Sequence, residues 1–235
     1  LIGGLLLAPR LRGLGIGRHL AGVRPTWTVA RTGLMTGTMS LAETGVFLSS
    51  TAIVGYLAID AVPAHVAVFR AAAITYVVSV GLSHAITIRA AAAVALAGLD
   101  GEPAVFRAAR LAILALAPLF FAFLMVAPRG VGLIMGVDAG DLEGLVPWAA
   151  ITVCALLLSG VAYGFHRARG SVRAPVVVGL AGYWAVGFAA IASLGGWAGW
   201  GSAGVWAGLA AGSLVTALGM VACLQRHGPP VKLRS

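Results

Sequence analysis

The sequence predicts an all-α membrane protein with six transmembrane helices. Of its 235 residues, 60% are hydrophobic and only 10% are charged, whereas soluble domains carry about 25% charged residues. The apolar residues form blocks that reach the ~20 residues needed for a membrane-spanning helix and exceed the ~9–11 of a membrane β-strand. This pattern excludes a soluble domain and a β-barrel. The six blocks are residues 32–59, 64–89, 104–127, 147–165, 174–195 and 203–224.

The net charge of +9 predicts membrane topology and not nucleic-acid binding. With helices at the six blocks, all of the 16 Lys and Arg residues except Arg70 and Arg129 fall on one side of the membrane. Basic residues collect in cytoplasmic loops. We therefore expect a multi-pass protein with both termini in the cytoplasm.

Three regions follow from this topology. Residues 1–31 are expected to be the end of a preceding helix and an Arg-rich cytoplasmic linker, residues 32–226 a six-helix lobe, and residues 227–235 a cytoplasmic tail. Pairs of small residues four apart predict close helix packing within the lobe. These pairs are Gly33 with Gly37, Gly160 with Gly164, and the series Gly204, Gly208 and Gly212.

Glu43 is the only charged residue between residues 32 and 59, and it falls near the middle of that block. A charged group at this depth costs ~2.5–3.5 kcal/mol on insertion scales, so such a residue usually has a function. On a helical wheel Thr36, Ser40, Glu43, Phe47 and Ser50 lie within roughly 80° of one another. They predict a polar stripe centred on the carboxylate. The alternative is a protonated packing residue among hydroxyls that bond backbone carbonyls.

The second block places Arg70 and His84 on one helical face, with small side chains between them. This face could be the wall of a cavity. Arg70 could equally extend to the membrane interface, and His84 could be a simple interfacial histidine. The sequence has no metal-spaced Cys/His cluster and no phosphate-binding glycine loop. We therefore expect no metal site and no cofactor.

The segment DAVPAHVAVFRAAAITYVVSVGLSHAITIR, from Asp60 to Arg89, resembles the eighth helix of multidrug and toxic compound extrusion (MATE) transporters. The segment GLMTGTMSLAE, which ends at Glu43, is similar to the helix before it, whose glutamate couples transport to an ion. Residues 160–184 are similar to the family's glycine-containing loop and the helix after it. Gly204-Val205-Trp206 and Leu224-Gln225-Arg226 resemble parts of the last helix.

This resemblance implies the C-terminal half of a twelve-helix transporter in a bacterial plasma (inner) membrane. Such a transporter would be no enzyme. It would export organic compounds, mostly cations, in exchange for protons or sodium. Its partners would be the small-molecule substrate, the lipid bilayer and an N-terminal six-helix half on the same or a separate chain. The family often carries an aspartate in the fourth helix of this half. Thr152 stands about there, and Arg70 replaces a neutral polar residue, so protons are expected over sodium.

We therefore expect Glu43 to be the ion-coupling residue. The substrate cavity is expected to be lined by Thr36, Ser40, Phe47, Arg70, Tyr76 and Thr152. Two alternatives remain open. A flippase of the same superfamily for lipid-linked saccharides or phosphates would suit Arg70. An intramembrane enzyme would use Glu43 and His84 as acid and base, although their depths differ by ~10 Å.

Overall fold

The computed structural model describes residues 23–226, and these residues are helical with short connections and no strand. The all-α prediction is therefore confirmed for the described part of the chain. In lipid a helix satisfies every backbone hydrogen bond within its own segment, which is why long apolar blocks become helices. The helices are α1 (Val23–Leu57), α2 (Val62–Ala97), α3 (Glu102–Met135), α4 (Ala139–Glu143), α5 (Val146–Ala168), α6 (Arg173–Trp197) and α7 (Gly201–Arg226).

Six of these helices correspond to the six predicted blocks, and α4 is a short additional helix between α3 and α5. The predicted bounds are too short in places. α1 begins at Val23 and so includes residues expected in the linker, while α2 and α3 continue to Ala97 and Met135. The predictions for residues 1–22 and for the tail at 227–235 lie outside the described residues.

Five described segments are long and apolar enough to cross a membrane: Ile59–Leu96, Glu102–Met135, Ala139–Ala168, Arg173–Trp197 and Gly201–Arg226. The long helix α1 is not among them. Its sequence contains Glu43 together with many Ser, Thr and Gly residues, which lower its mean hydropathy. The polar side chains on which the predicted functional role of α1 depends therefore also lower the hydropathy of α1 as a membrane span.

The helices run alternately up and down, so most of the described arginines lie at one end of the bundle and four of the described acidic residues lie at the other. We call one end the basic end. It carries Arg31, Arg89, Arg107, Arg110, Arg167, Arg169, Arg173 and Arg226. We call the other the acidic end. It carries Asp60, Asp138, Asp141 and Glu143. This separation is the charge bias that the topology prediction used.

Helix α5 lies at the centre of the bundle and packs against α2, α3 and α7. The side chains of Leu157, Phe165 and Trp206, on α5 and α7, are fully buried. Helix α6 packs mainly on α7, while α3 presents much of its surface outward. The predicted six-helix lobe thus has its own interior, with α1 along one side of it.

Close packing occurs at two of the three predicted glycine sets. A Cβ atom on Gly204, Gly208 or Gly212 would lie 2.5–2.7 Å from atoms of α6. A Cβ atom on Gly164 would lie 2.8 Å from the Ser83 carbonyl oxygen of α2. At Gly33 and Gly37 no described atom lies within 4 Å of such a Cβ. The spacing therefore identifies the α6–α7 and α2–α5 contacts, but the pair on α1 has no described neighbour.

An ion pair at the basic end ties three helix ends together. Arg169 donates hydrogen bonds from Nε and Nη2 to the two carboxylate oxygens of Glu102, each at 2.8 Å. Its Nη1 donates to the Leu224 carbonyl oxygen at 3.3 Å. Both side chains are largely buried. Arg169, which the sequence indicated as a topology marker and as part of the family-like segment 160–184, therefore also joins the start of α3 to the ends of α5 and α7.

Candidate functional site

The Glu43 carboxylate lies between α1, α2 and α6, where both of its oxygens are hydrogen-bonded. The Tyr76 hydroxyl donates to Oε2 at 3.2 Å, and the Tyr183 hydroxyl donates to Oε1 at 3.4 Å. Hydrogen bonds to an ionised carboxylate are about twice as strong as neutral ones. Two tyrosines from different helices therefore hold the carboxylate in one position, without a basic side chain among the described partners.

Helix α6 is π-helical where its aromatic residues contact α1. Within α6, Leu180–Gly187 and Ile191–Trp197 are π-helical, a rare geometry that is frequent at functional sites. Next to Tyr183, Trp184 donates from Nε1 to the Ala42 carbonyl oxygen at 3.0 Å. A Cβ on Gly45 would lie 3.0 Å from the Trp184 ring, so the glycine allows this ring to lie close against α1.

A polar cavity extends from Glu43 toward the basic end. Its volume is about 190 Å³. Besides Glu43 and Tyr76, its polar lining comes from Thr36, Ser40, Ser79, Ser83, His84, Tyr163 and Arg167. These residues belong to α1, α2 and α5. Thr36, Ser40 and Glu43 of the polar stripe predicted on α1 therefore face hydroxyl groups on two other helices. Ser50, the last residue of that stripe, is buried and donates its hydroxyl to the Phe47 carbonyl oxygen.

A second, apolar cavity extends from Glu43 toward the acidic end. It has a volume of about 100 Å³ and is lined by Phe47, Phe69, Ala72 and Ala73 beside Glu43, Tyr76 and Leu156. The Phe47 and Phe69 rings lie 6.2 Å apart between centroids. Glu43 thus lies where a polar space and an apolar space meet.

The structure brings most of the predicted site residues together. Thr36 and Ser40 line the polar cavity, Phe47 lines the apolar cavity, and Glu43 and Tyr76 line both. Their proposed roles in coupling and transport remain predictions. What the structure adds is that these five side chains, from two helices, line two cavities that meet at Glu43 and Tyr76.

Arg70 and Thr152 do not line either cavity. Arg70 is exposed, because it lies six positions before Tyr76 and so points roughly 120° away from it around α2. Thr152 is fully buried in the helix packing, and its hydroxyl donates to the Trp148 carbonyl oxygen at 2.8 Å. Neither residue therefore lines the two cavities beside Glu43, and their predicted place in the wall of a substrate cavity stays a prediction.

Four functional candidates were missed or undervalued at the level of sequence: Tyr163, Arg167, Tyr183 and Trp184. The Arg167 guanidinium lies over the Tyr163 ring, 5.7 Å from its centroid. Their spacing of four residues on α5 was an available signal for this contact. Tyr183 is 140 residues from Glu43, and no periodicity in the sequence joins the two.

No group of three or more His, Cys, Asp and Glu residues within residues 23–226 could hold a metal ion. Glu43 can accept one proton at either oxygen, and its two tyrosine partners can donate to the ionised form. The chemistry available at this site is therefore proton binding or weak binding of a cation by one carboxylate and nearby hydroxyls.

Comparison with known proteins agrees with this architecture. The MatE family model matches residues 36–190. The probable multidrug resistance protein NorM of Pseudomonas aeruginosa is 34% identical over 82% of this chain and 41% of its own length. The NorM protein of Brucella suis is 31% identical over 86% and 44%, and that of Synechococcus sp. 31% over 72% and 38%.

The same fold occurs in a solved structure. The crystal structure of the eukaryotic MATE transporter AtDTX14 superposes with a TM-score of 0.76 at 15% identity, over 89% of this chain and 48% of that one. The chain thus spans less than half the length of these relatives. Since the family model covers more than half of the chain and NorM relatives exceed 30% identity over most of it, this chain belongs to the MatE family.

Proposed function

We propose that this chain is one lobe of a secondary active antiporter that exports organic, mostly cationic compounds in exchange for protons, with Glu43 as the ion-coupling residue. The observation that carries the proposal is the Glu43 carboxylate, held by Tyr76 and Tyr183 at the meeting of a polar and an apolar cavity. The names of the NorM relatives support efflux of several drugs.

The geometry favours protons over sodium as the coupling ion. A proton needs one carboxylate oxygen, whereas a hard metal cation needs several oxygen ligands around it. Glu43 is the only carboxylate that lines the two described cavities, and both neighbouring phenols already use their hydrogens to bond it. Thr152, which stands where the family often has an aspartate, turns its hydroxyl to its own backbone.

Protonation of Glu43 would change how three helices hold together. The ionised carboxylate binds the hydroxyls of α2 and α6 to α1, and these bonds weaken when the carboxylate becomes neutral. Proton binding is then linked to the relative positions of α1, α2 and α6. A shift in these positions is the means by which a bound proton can favour one conformation over another.

A complete transporter needs a second lobe in this proposal. In transporters built from repeats, the substrate site lies between two units that move against each other. The relatives are about twice as long as this chain, and we propose that a six-helix partner, on the same or another chain, supplies the remaining half. The basic end would then face the cytoplasm, as the distribution of arginines favours.

The test is Glu43→Gln in the complete transporter, reconstituted in proteoliposomes. The amide keeps the size of the side chain and removes its proton exchange. Substrate binding should persist while transport driven by a pH gradient falls at least tenfold. The matched control is Glu143→Gln, which removes an exposed carboxylate at the acidic end. Unchanged proton-driven export by Glu43→Gln would refute the role, and a strong sodium requirement would refute the choice of ion.

The flippase alternative depends on Arg70. Its guanidinium is exposed on α2 and makes no ion pair with a described acidic residue, so it could contact a phosphate on a lipid-linked substrate. Arg70→Gln should then abolish lipid translocation. If the unmodified transporter moves no lipid-linked substrate and Arg70→Gln leaves cation export intact, the antiporter is favoured. The enzyme alternative has less support, because His84 and Glu43 share the polar cavity without a hydrogen bond between them.

A further inference from the structure

The polar cavity joins Glu43 to a histidine near the basic end. His84 lies two turns beyond Tyr76 on α2, about 12 Å along the helix axis, and its side chain is exposed. Both residues line the same space, and the hydroxyls of Ser79 and Ser83 lie between them along α2. His84 therefore lies at the outer part of a polar space whose inner part is the Glu43 carboxylate.

The cavity has the size and the polarity to hold water. Its volume of about 190 Å³ exceeds what a single water molecule needs, and polar groups around it can bond several. The Tyr163 hydroxyl is buried beside this space, where the Thr36 side chain lies near it without forming a hydrogen bond of full geometry. A buried donor of this kind usually bonds ordered water. A chain of water and hydroxyl groups can therefore connect His84 with Glu43.

The charged and titratable groups that face this space are few. Glu43 comes from α1, Tyr76 and His84 from α2, and Tyr163 and Arg167 from α5. Arg167 carries a permanent positive charge, which disfavours the entry of a metal cation. A proton can instead pass as a rearrangement of hydrogen bonds. Among the residues that line the cavity at its outer part, only His84 has an imidazole, whose two ring nitrogens can accept a proton on one side of the ring and donate one on the other.

We propose that His84 is the proton-exchange residue for Glu43 and transfers protons between the solution at the basic end and the buried carboxylate. A proton from solution binds the imidazole, whose N–H then donates to a cavity water. That water passes a proton inward until one reaches a Glu43 oxygen, and the imidazole returns to its neutral form. One proton is moved, and no other bond is changed. This inference rests on the proposed proton binding by Glu43.

The test follows protonation of Glu43 in the 235-residue chain in lipid bilayers by time-resolved infrared spectroscopy after a light-induced pH jump. The Glu43 carboxyl signal is the one that disappears in Glu43→Gln. In His84→Ala this signal should appear at least tenfold more slowly, yet reach the same final size. Added imidazole should restore the rate, because it can occupy the vacated space and exchange protons.

Two controls separate proton exchange from structure. Pyrazole has the same ring size as imidazole but is a far weaker base, so it should not restore the rate. Ala85→Gln changes the neighbouring residue, which is exposed and does not line the cavity, and should leave the rate unchanged. If His84→Ala and His84→Gln both protonate Glu43 at the original rate, the inference is refuted while the coupling role of Glu43 stands. If Glu43 does not titrate in the unmodified chain, both the inference on His84 and the coupling role of Glu43 are refuted.

Discussion

Helix α6 is expected to depend on Gly208 for its position. In Gly208→Ala the new Cβ would lie 2.5 Å from the Ile191 amide nitrogen and 2.8 Å from its Cα. Ordinary van der Waals contact begins near 3.4 Å. Because the obstructing atoms are backbone, no side-chain rotation can relieve the contact, and α6 must move away from α7 by roughly 1 Å.

The expected loss of stability follows from this displacement. Overpacking of a close contact costs about 1–3 kcal/mol, while replacing glycine by alanine inside a helix contributes about 1 kcal/mol in the opposite direction. The control Gly37→Ala measures that second effect alone, since no described atom lies within 4 Å of its Cβ. Thermal unfolding in the same detergent should therefore rank Gly208→Ala below Gly37→Ala by about 1–3 kcal/mol.

The displacement should also reach the functional site. Tyr183, on the same helix, bonds Glu43 at 3.4 Å, already near the limit of a hydrogen bond. A shift of this helix by roughly 1 Å would break that bond and should reduce proton-coupled transport in Gly208→Ala but not in Gly37→Ala. If the two variants have the same stability and the same activity, the reasoning about the α6–α7 contact is wrong.

Two further predictions concern the ends of the bundle. Glu102→Gln should destabilise the lobe by about 3–5 kcal/mol, because Arg169 loses its paired carboxylate. The exchange Glu102→Arg with Arg169→Glu should recover part of this loss in a double-mutant cycle. A change below ~0.5 kcal/mol would place the pair among weak surface ion pairs. Single cysteines at Ala95 and Gly140, in a background without Cys154 and Cys223, should react with an impermeant thiol reagent from opposite sides of the membrane. Labelling of both from one side would contradict the up-and-down arrangement.

The number and order of the long helices could be predicted from the sequence because they depend on local and additive properties. Hydrophobic length fixes which segments can span lipid, and the arginine distribution fixes which ends of the helices lie together. Both are sums over neighbouring residues, so they need no knowledge of helix packing. The predicted ends were less accurate, as the start of α1 at Val23 shows, since a helix can continue beyond its apolar part.

The composition of the site could be predicted only where one helix determines it. Thr36, Ser40 and Glu43 share a face by helical periodicity, and the structure places all three beside one cavity. It was harder to predict which face of α2 lines the site, because both faces are apolar enough either to pack against another helix or to contact lipid. Packing against α5 directs Tyr76 inward and leaves Arg70 exposed.

By itself the sequence determined the helical class, the number of long helices, the separation of charge and the polar stripe on α1. Only the tertiary structure decided which groups meet that stripe. Tyr183 reaches Glu43 across 140 residues, and Arg169 reaches Glu102 across 67. These contacts depend on how far each helix is rotated and shifted against its neighbours. That choice is set by the packing of all the helices at once, including the π-helical turns of α6 and the glycines of α7, and no single segment encodes it.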